Sequence, residues 1–308
     1  MDVEVRITHC GICHSDIHLI DNDWQMSTYP LVPGHEIIGM VTEIGSEVKH
    51  LEKGQRVGIG WQRSSCLICD HCLRGEENLC PESEDTCLGH YGGFAEYIRT
   101  DSRFVFKIPE TLDSAQAAPL LCGGITVYSP LKRYGVTPNM KVGVIGIGGL
   151  GHLALQFARA FGCEVTAFST SPEKEVEARA LGAHHFIVTS DRKALEQAKN
   201  SLDFIVSTVY ASIDWQGFVE VLRPNGKICV VGASAEPISL PPVFLLMGQK
   251  TIGGSVIGGR AMIREMLEFA ARHNIVAQAE IFPMSKVNDA IEKVRQGKAR
   301  YRVVLQNE

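Results

Sequence analysis

The chain has 308 residues, enough for two domains and a substantial core. Hydrophobic residues make up 45% and charged residues 21%, the composition of an ordinary soluble globular protein, and the net charge of −5 implies no basic face for nucleic acid. No apolar run reaches the roughly 18 to 20 residues of a membrane span.

The opening Met1-Asp2-Val3-Glu4 is too acidic and too short to read as a secretory leader. The expected compartment is the cytoplasm. There, ten cysteines bind metal more readily than they form disulfides. The expected partner is a small molecule, with neither nucleic acid nor membrane.

The first dense segment runs His9-Cys10-Gly11-Ile12-Cys13-His14-Ser15-Asp16-Ile17-His18. Pro33-Gly34-His35-Glu36 follows, and much later Leu120-Leu121-Cys122-Gly123. Each is weak alone, since a lone cysteine in an apolar stretch is usually core. Together Cys13, His35 and Cys122 supply two thiolates and an imidazole, three ligands that leave a fourth zinc position open. Glu36 is placed to occupy that position when substrate is absent. Asp16 reads either as a carboxylate orienting the ligands or as a helix-start cap. Ser15 and His18 read as a proton path to solvent, with an idle surface histidine as the alternative. An open zinc polarises a carbonyl oxygen, but some other group must carry a hydride.

Cys66, Cys69, Cys72 and Cys80 form C-x2-C-x2-C-x7-C. Such close spacing lets one loop wrap four thiolates around a single ion, a closed structural zinc site. An iron–sulfur run would need three residues before its last cysteine, and here there are seven. A nucleic-acid zinc ribbon is disfavoured by Glu76, Glu77, Glu82, Glu84 and Asp85. Nearby, Cys87 reads as a buried thiol and His71 as a surface histidine.

From Lys141 an apolar strand, Val142 to Ile145, leads into Gly146, Gly148 and Gly151, the pattern G-x-G-x-x-G, and then a helix from His152 to Phe161. Strand, glycine loop and helix in that order give the context of a dinucleotide pyrophosphate site. The second strand, Glu164 to Phe168, ends in Ser169-Thr170-Ser171-Pro172-Glu173-Lys174. An acidic residue there would grip a ribose 2′-hydroxyl. Hydroxyls and Lys174 suit a 2′-phosphate instead, so NADP is expected over NAD. Further strands are expected at His185–Val188, Asp203–Ser207, Lys227–Gly232 and Thr251–Ile257. Helices are expected at Pro172–Leu181, Arg192–Lys199 and Trp215–Leu222. This alternation predicts an α/β, doubly wound parallel sheet with ligands at the carboxyl ends of its strands. Thr208, Gly232 and Ser255-Val256-Ile257 then fall near the cofactor.

Taken together, CGICHSDIH, PGHE, Gly58-Ile59-Gly60-Trp61, the four-cysteine loop, APLLCGGITVY, GIGGLGH and KARYRVV resemble the zinc-containing medium-chain alcohol dehydrogenases. The likeness is to the NADP-dependent, cinnamyl-alcohol-dehydrogenase-like branch with its bacterial aldehyde reductases. It implies two zinc ions per chain: a catalytic one on Cys13, His35 and Cys122 with Glu36 exchangeable, and a structural one on the four-cysteine loop. It implies a Ser15–His18 relay beside Asp16. It also implies NADP contacts from Thr126, Gly146, Ile147, Gly148, Gly149, Leu150, Gly151, Ser169, Thr170, Lys174, Thr208, Gly232, Ser255, Val256 and Ile257, with Arg302 near the phosphates. The implied architecture is a GroES-like, mainly-β catalytic domain in two pieces, 1–125 and 261–308, around a Rossmann domain at 126–260. A homodimer or homotetramer joined through Rossmann sheet edges is implied as well.

The chain begins almost at the strand before CGICHSD, without the residues that usually open that family. The expectation is either a start further upstream or a bare, less stable sheet edge. Trp24, Trp61 and Met26 are candidates for an apolar pocket suited to medium or aromatic aldehydes, with core or lid packing as the alternative. The expected activity is hydride transfer between NADP(H) and a primary alcohol or aldehyde. The alternatives are a zinc-free quinone-type reductase, an NADPH-binding protein without turnover, and an iron–sulfur electron carrier.

Overall fold

In the computed structural model, residues 1–234 and 236–307 are described. The chain forms two compact units, one of Met1–Ile125 with Ile257–Glu308, the other of Thr126–Val256.

The first unit is built on a seven-stranded sheet. Its strands are β1 (Asp2–Ile12), β2 (Glu36–Ile44), β3 (Arg56–Ile59), β6 (Tyr97–Asp101), β7 (Val105–Lys107), β14 (Ala279–Pro283) and β15 (Arg302–Gln306). A short ribbon, β4 (Gln62–Ser64) with β5 (Glu84–Asp85), lies outside it. Alternation makes β1 a strand: Val3, Val5 and Ile7 are buried while Glu4 and Arg6 stand on the other face. Val3, Val5 and Ile7 pack with Ile37, Val41, Val57 and Ile59. β1 is antiparallel to β15, β2 and β6, so residues far apart in sequence meet along it.

The second unit is a six-stranded sheet of β8 (Lys141–Ile145), β9 (Glu164–Ser169), β10 (His185–Val188), β11 (Leu202–Ser207), β12 (Leu222–Val230) and β13 (Thr251–Gly254). Every pairing is parallel, in the order β10-β9-β8-β11-β12-β13. Numbered within the unit this is 3-2-1-4-5-6, the doubly wound order of dinucleotide-binding sheets. Val142, Val144, Val165, Ala167, Ile205 and Ile228 are buried, the continuous apolar content of strands covered on both faces. The Gly151–Ala160 helix turns Leu153, Ala154, Phe157 and Ala158 into that core.

Two strands depart most from their expected bounds. The strand expected at Thr251–Ile257 stops at Gly254, because the Ser255 hydroxyl turns to within 3.2 Å of the Ser129 hydroxyl and Ile257 takes φ +31°. The strand expected to begin at Lys227 begins at Leu222 and ends at Val230, with a register shift against β11. No helix among the described residues is long and apolar enough to cross a membrane.

Candidate catalytic metal centre and nucleotide loop

Strand register assembles the first cluster. β1 ends at Ile12, and Cys13 is the N-cap of the helix His14–Asp21. Glu36 begins β2 opposite Gly11, so His35 lies beside the end of β1. Cys122 follows the buried turn Ala118–Leu121. One donor atom each from Cys13, His35, Glu36 and Cys122 fall within 4.8 Å of one another, and all four residues are buried.

Asp16 organises this pocket. One carboxylate oxygen accepts from the Cys13 N–H at 2.8 Å, which caps the helix. The other accepts from the Gly34 N–H and lies 2.9 Å from His35 Nδ1. The same side chain thus caps the helix and orients the histidine. His35 Nε2 is buried with no hydrogen-bond partner among the described residues.

The donor set fits zinc. Zn–S bonds of about 2.3 Å in a tetrahedron place sulfur atoms about 3.8 Å apart. Cys13 and Cys122 Sγ are 4.0 Å apart. The Cys122 thiol beside Cys13 holds the Cys13 thiol well below its usual range, with His35 contributing. The same contact and burial push Cys122 up. For His35 burial opposes the charged form, but Asp16 and Cys122 outweigh it and raise its pKa well above normal.

Glu36 is the fourth donor of the group. Burial, opposed by Arg302, raises its carboxyl to about 7. One oxygen is hydrogen-bonded by the Arg302 guanidinium, and the other has no partner among the described residues. A Cβ on Gly11 would lie 2.0 Å from that free oxygen, so only glycine leaves it room.

Ser15 Oγ lies 3.6 Å from Cys13 Sγ. His18 Nδ1 is 2.7 Å from the Asp23 carboxylate. Four rings run in sequence: His18 to Trp24 at 5.0 Å, Trp24 to Trp61 at 6.4 Å, and Trp61 to His35 at 4.7 Å between centroids. Trp24 and Trp61 are half-buried along this line, while Met26 is 53% exposed.

The second cluster lies in the Cys66–Cys80 loop, where donor atoms of Cys66, Cys69, Cys72 and Cys80 lie within 4.8 Å of one another. Cys66 Sγ is 3.9 Å from Cys72 Sγ and 3.5 Å from Cys80 Sγ, again the spacing a tetrahedral ion sets. The backbone N–H groups of Ile68 and Cys69 point at the Cys66 sulfur and pull its thiol down to about 7.

In the other unit, Gly146 to Leu150 follow β8 at the carboxyl end of the sheet, where the strand order reverses between β8 and β11. A Cβ on Gly151 would lie 1.9 Å from the Gly146 carbonyl oxygen, whereas the space around Gly148 is open. The turn can therefore close tightly and still admit a pyrophosphate. Thr208 braces it, donating to the Ile145 and Gly146 carbonyls at 2.9 Å. Ser169 ends β9, Thr170 is exposed, and Lys174 Nζ donates to the Ile147 carbonyl at 2.7 Å. Gly232 stands just beyond β12 and Ser255 just beyond β13. Thr126 is half-buried in the Gly123–Arg133 helix.

Three relationships were not read from the sequence. Cys87, taken as a plain buried thiol, stands against the Asp16–His35 pair. Asp23 meets His18, and only its place just past the end of the His14–Asp21 helix hinted at this. Arg302, expected at the cofactor's phosphates, is 5% exposed and engaged by Glu36.

Comparison with known proteins agrees with this architecture. A family profile described as "Alcohol dehydrogenase GroES-like domain" matches residues 1–110, and one described as "Zinc-binding dehydrogenase" matches residues 149–272. The aldehyde reductase AdhA of Synechocystis sp. is 47% identical over 304 residues, 99% of this chain and 90% of the relative. A solved cinnamyl alcohol dehydrogenase of Sorghum bicolor superimposes with a TM-score of 0.95 at 40% identity, covering 99% of this chain and 90% of that one. That of Helicobacter pylori, complexed with NADP(H), gives 0.91 at 36% identity over the same shares, 99% and 90%. The chain belongs to the zinc-binding alcohol dehydrogenase family, with a GroES-like catalytic domain and a Rossmann-type parallel sheet.

Proposed function

We propose that this protein is an NADP(H)- and zinc-dependent alcohol dehydrogenase working mainly as an aldehyde reductase on medium-chain or aromatic primary aldehydes. The observation that carries the reading is the buried group of Cys13, His35, Glu36 and Cys122, with an imidazole nitrogen that has no partner among the described residues and is aimed by Asp16. Cys13, His35 and Cys122 would hold one zinc, and Cys66, Cys69, Cys72 and Cys80 a second. When bound, the zinc supplies a Lewis acid and the nicotinamide a hydride.

The chain's own residues do the rest. Ser15 and His18 move the proton between the substrate oxygen and solvent, and Asp23 fixes the His18 ring. Trp24 and Trp61 offer ring faces and edges to an apolar substrate. Ser169, Thr170 and Lys174 receive the 2′-phosphate, which an acidic residue there would repel. The Helicobacter pylori relative bound to NADP(H) supports the same cofactor here. We place the protein in the cytoplasm, since six of its ten cysteines sit in the two metal groups, where they are needed reduced. We infer a homodimer or homotetramer through the β13 edge, near which Leu246, Met247 and Val256 are exposed at 72%, 84% and 56%.

The test is NADPH oxidation by the zinc-loaded protein against a panel of aliphatic and aromatic aldehydes. Turnover is expected with NADPH and weakly with NADH. NADPH binding without turnover on any aldehyde would instead mark a non-catalytic binding protein.

A further inference from the structure

The loop of the closed cysteine cluster carries a buried carboxylate with no part in ligation. Glu77 lies between Cys72 and Cys80 and is 3% exposed. Its Oε1 accepts from Arg260 Nε at 2.8 Å, and its Oε2 from the Arg260 backbone N–H at 3.0 Å. Arg260 is the first residue of the Arg260–His273 helix, whose own N-cap, Gly259, has no side chain to offer. Glu77 thus caps that helix from a distant loop while pairing with its first side chain. The fit is close: a Cβ on Gly259 would lie 1.9 Å from the Gly75 carbonyl oxygen and 2.5 Å from Glu77 Oε2. The Glu77 carbonyl accepts from Gln62 Nε2 at 2.6 Å, and the Arg260 guanidinium lies 5.3 Å over the Phe104 ring.

Three residues before Arg260 the chain re-enters the catalytic unit at Ile257, a β-branched residue at φ +31°. That conformation is costly for such a side chain and persists only where its surroundings hold it. The segment immediately before it is Ser255-Val256, the cofactor stretch.

We propose that Glu77 is a positioning residue for the cofactor stretch Ser255–Ile257, pinning the chain directly after it to the four-cysteine loop. This rests on the proposed NADP-binding role of that stretch. The four-cysteine loop then does more than hold its own lobe: it presents the carboxylate that keeps Ile257 in its strained conformation.

The test uses the zinc-loaded full chain and Glu77→Gln. Hydrogen exchange, NADPH dissociation constant and zinc content are measured on both. In the variant, amides from 255 to 262 should exchange faster while β8 and β9 keep their protection. The NADPH dissociation constant should rise about tenfold, the effect of one charge-assisted hydrogen bond, with zinc content and kcat at saturating NADPH unchanged. A general loosening would instead speed exchange everywhere. Wild-type exchange at 255–262, or NADPH affinity within twofold of wild type, overturns the proposal. Should Glu77→Gln not fold, Arg260→Gln must give the same local exchange and weaker NADPH binding, and no change there overturns it equally. A wild-type protein that binds no NADPH defeats the proposed function and the cofactor half of this inference, while exchange still reads the clamp itself.

Discussion

Asp16 Oδ1 and His35 Nδ1 are 2.9 Å apart, and both side chains are wholly buried. The carboxylate accepts the Nδ1–H hydrogen bond and leaves the Nε2 lone pair for a metal, the arrangement that fixes a ligating imidazole. Asp16→Asn should therefore weaken zinc binding at this centre by about 10- to 100-fold, read by competition with a chromophoric chelator. The Cys66–Cys80 cluster, read in the same titration, should be untouched. Wild-type affinity at both would show that Asp16 serves the helix alone.

The two metal groups should separate by mutation. Cys13→Ala is expected to leave one zinc per chain by elemental analysis, no aldehyde turnover, and a thermal midpoint close to wild type. Cys69→Ala should also leave one zinc, but should lower the midpoint by several degrees, because a closed site contributes its binding energy to folding. A Cys13→Ala protein that keeps most of its turnover would remove Cys13 from the ligand set.

Asp23 should matter through His18. Its carboxylate, 2.7 Å from Nδ1, selects the tautomer whose other nitrogen can accept a proton. Asp23→Asn is expected to lower kcat about tenfold and leave the aldehyde KM within a factor of about two, a fraction of what a full general acid–base group contributes. A change in KM alone would assign Asp23 to packing around Trp24.

Cofactor choice should reverse at the end of β9. Ser169→Asp places a carboxylate where an NAD-specific sheet carries one. The ratio of kcat/KM for NADPH to that for NADH should fall by about 100-fold, the order of one close charge repulsion at a partly solvated site. An unchanged ratio would move the 2′-phosphate away from Ser169.

One pH effect lies clear of both metal groups. Burial raises the Asp101 carboxyl, but hydrogen bonds from the Arg103 side chain and backbone, and its charge, outweigh this and hold the pKa below normal. A depressed folded-state pKa stabilises above the unfolded value of about 3.9 and is lost as pH falls through the folded value. Asp101→Asn should therefore lower the urea midpoint at pH 7, and the difference from wild type should shrink toward zero on acidification below about pH 4. A difference independent of pH would make it a loss of shape, not of charge.

Much of this was legible because its determinants are local. The four-cysteine loop and the glycine loop each lie within one short stretch, so spacing alone identified them. The doubly wound sheet followed from the rhythm of apolar strands and helices after Lys141. Other features depend on strand pairing that no local pattern encodes. Arg302 reaches Glu36 because β15 and β2 flank β1, with Val303 opposite Ile12 and Glu36 opposite Gly11. Cys87 reaches the Asp16–His35 pair from far along the chain. Asp16 offered two readings, and its two oxygens satisfy both. Ile257 was read as the end of a strand from Thr251; its setting where the chain returns to the first unit holds it at φ +31° instead, against the strand preference of a β-branched residue.

The pairing of β1 with β15 also fixes an order of assembly during synthesis. Residues 126–256 are contiguous and can collapse as soon as they leave the ribosome. The strand that leads into Cys13 pairs early with β2 and β6, but its residues 9–12 must wait for β15, translated nearly three hundred codons later, before that edge is paired and Glu36 acquires its counter-charge. A nascent chain stalled short of residue 302 would thus expose the Cys13 thiol beside a strand end left unpaired along one edge, a window in which oxidation or a chaperone would reach it first.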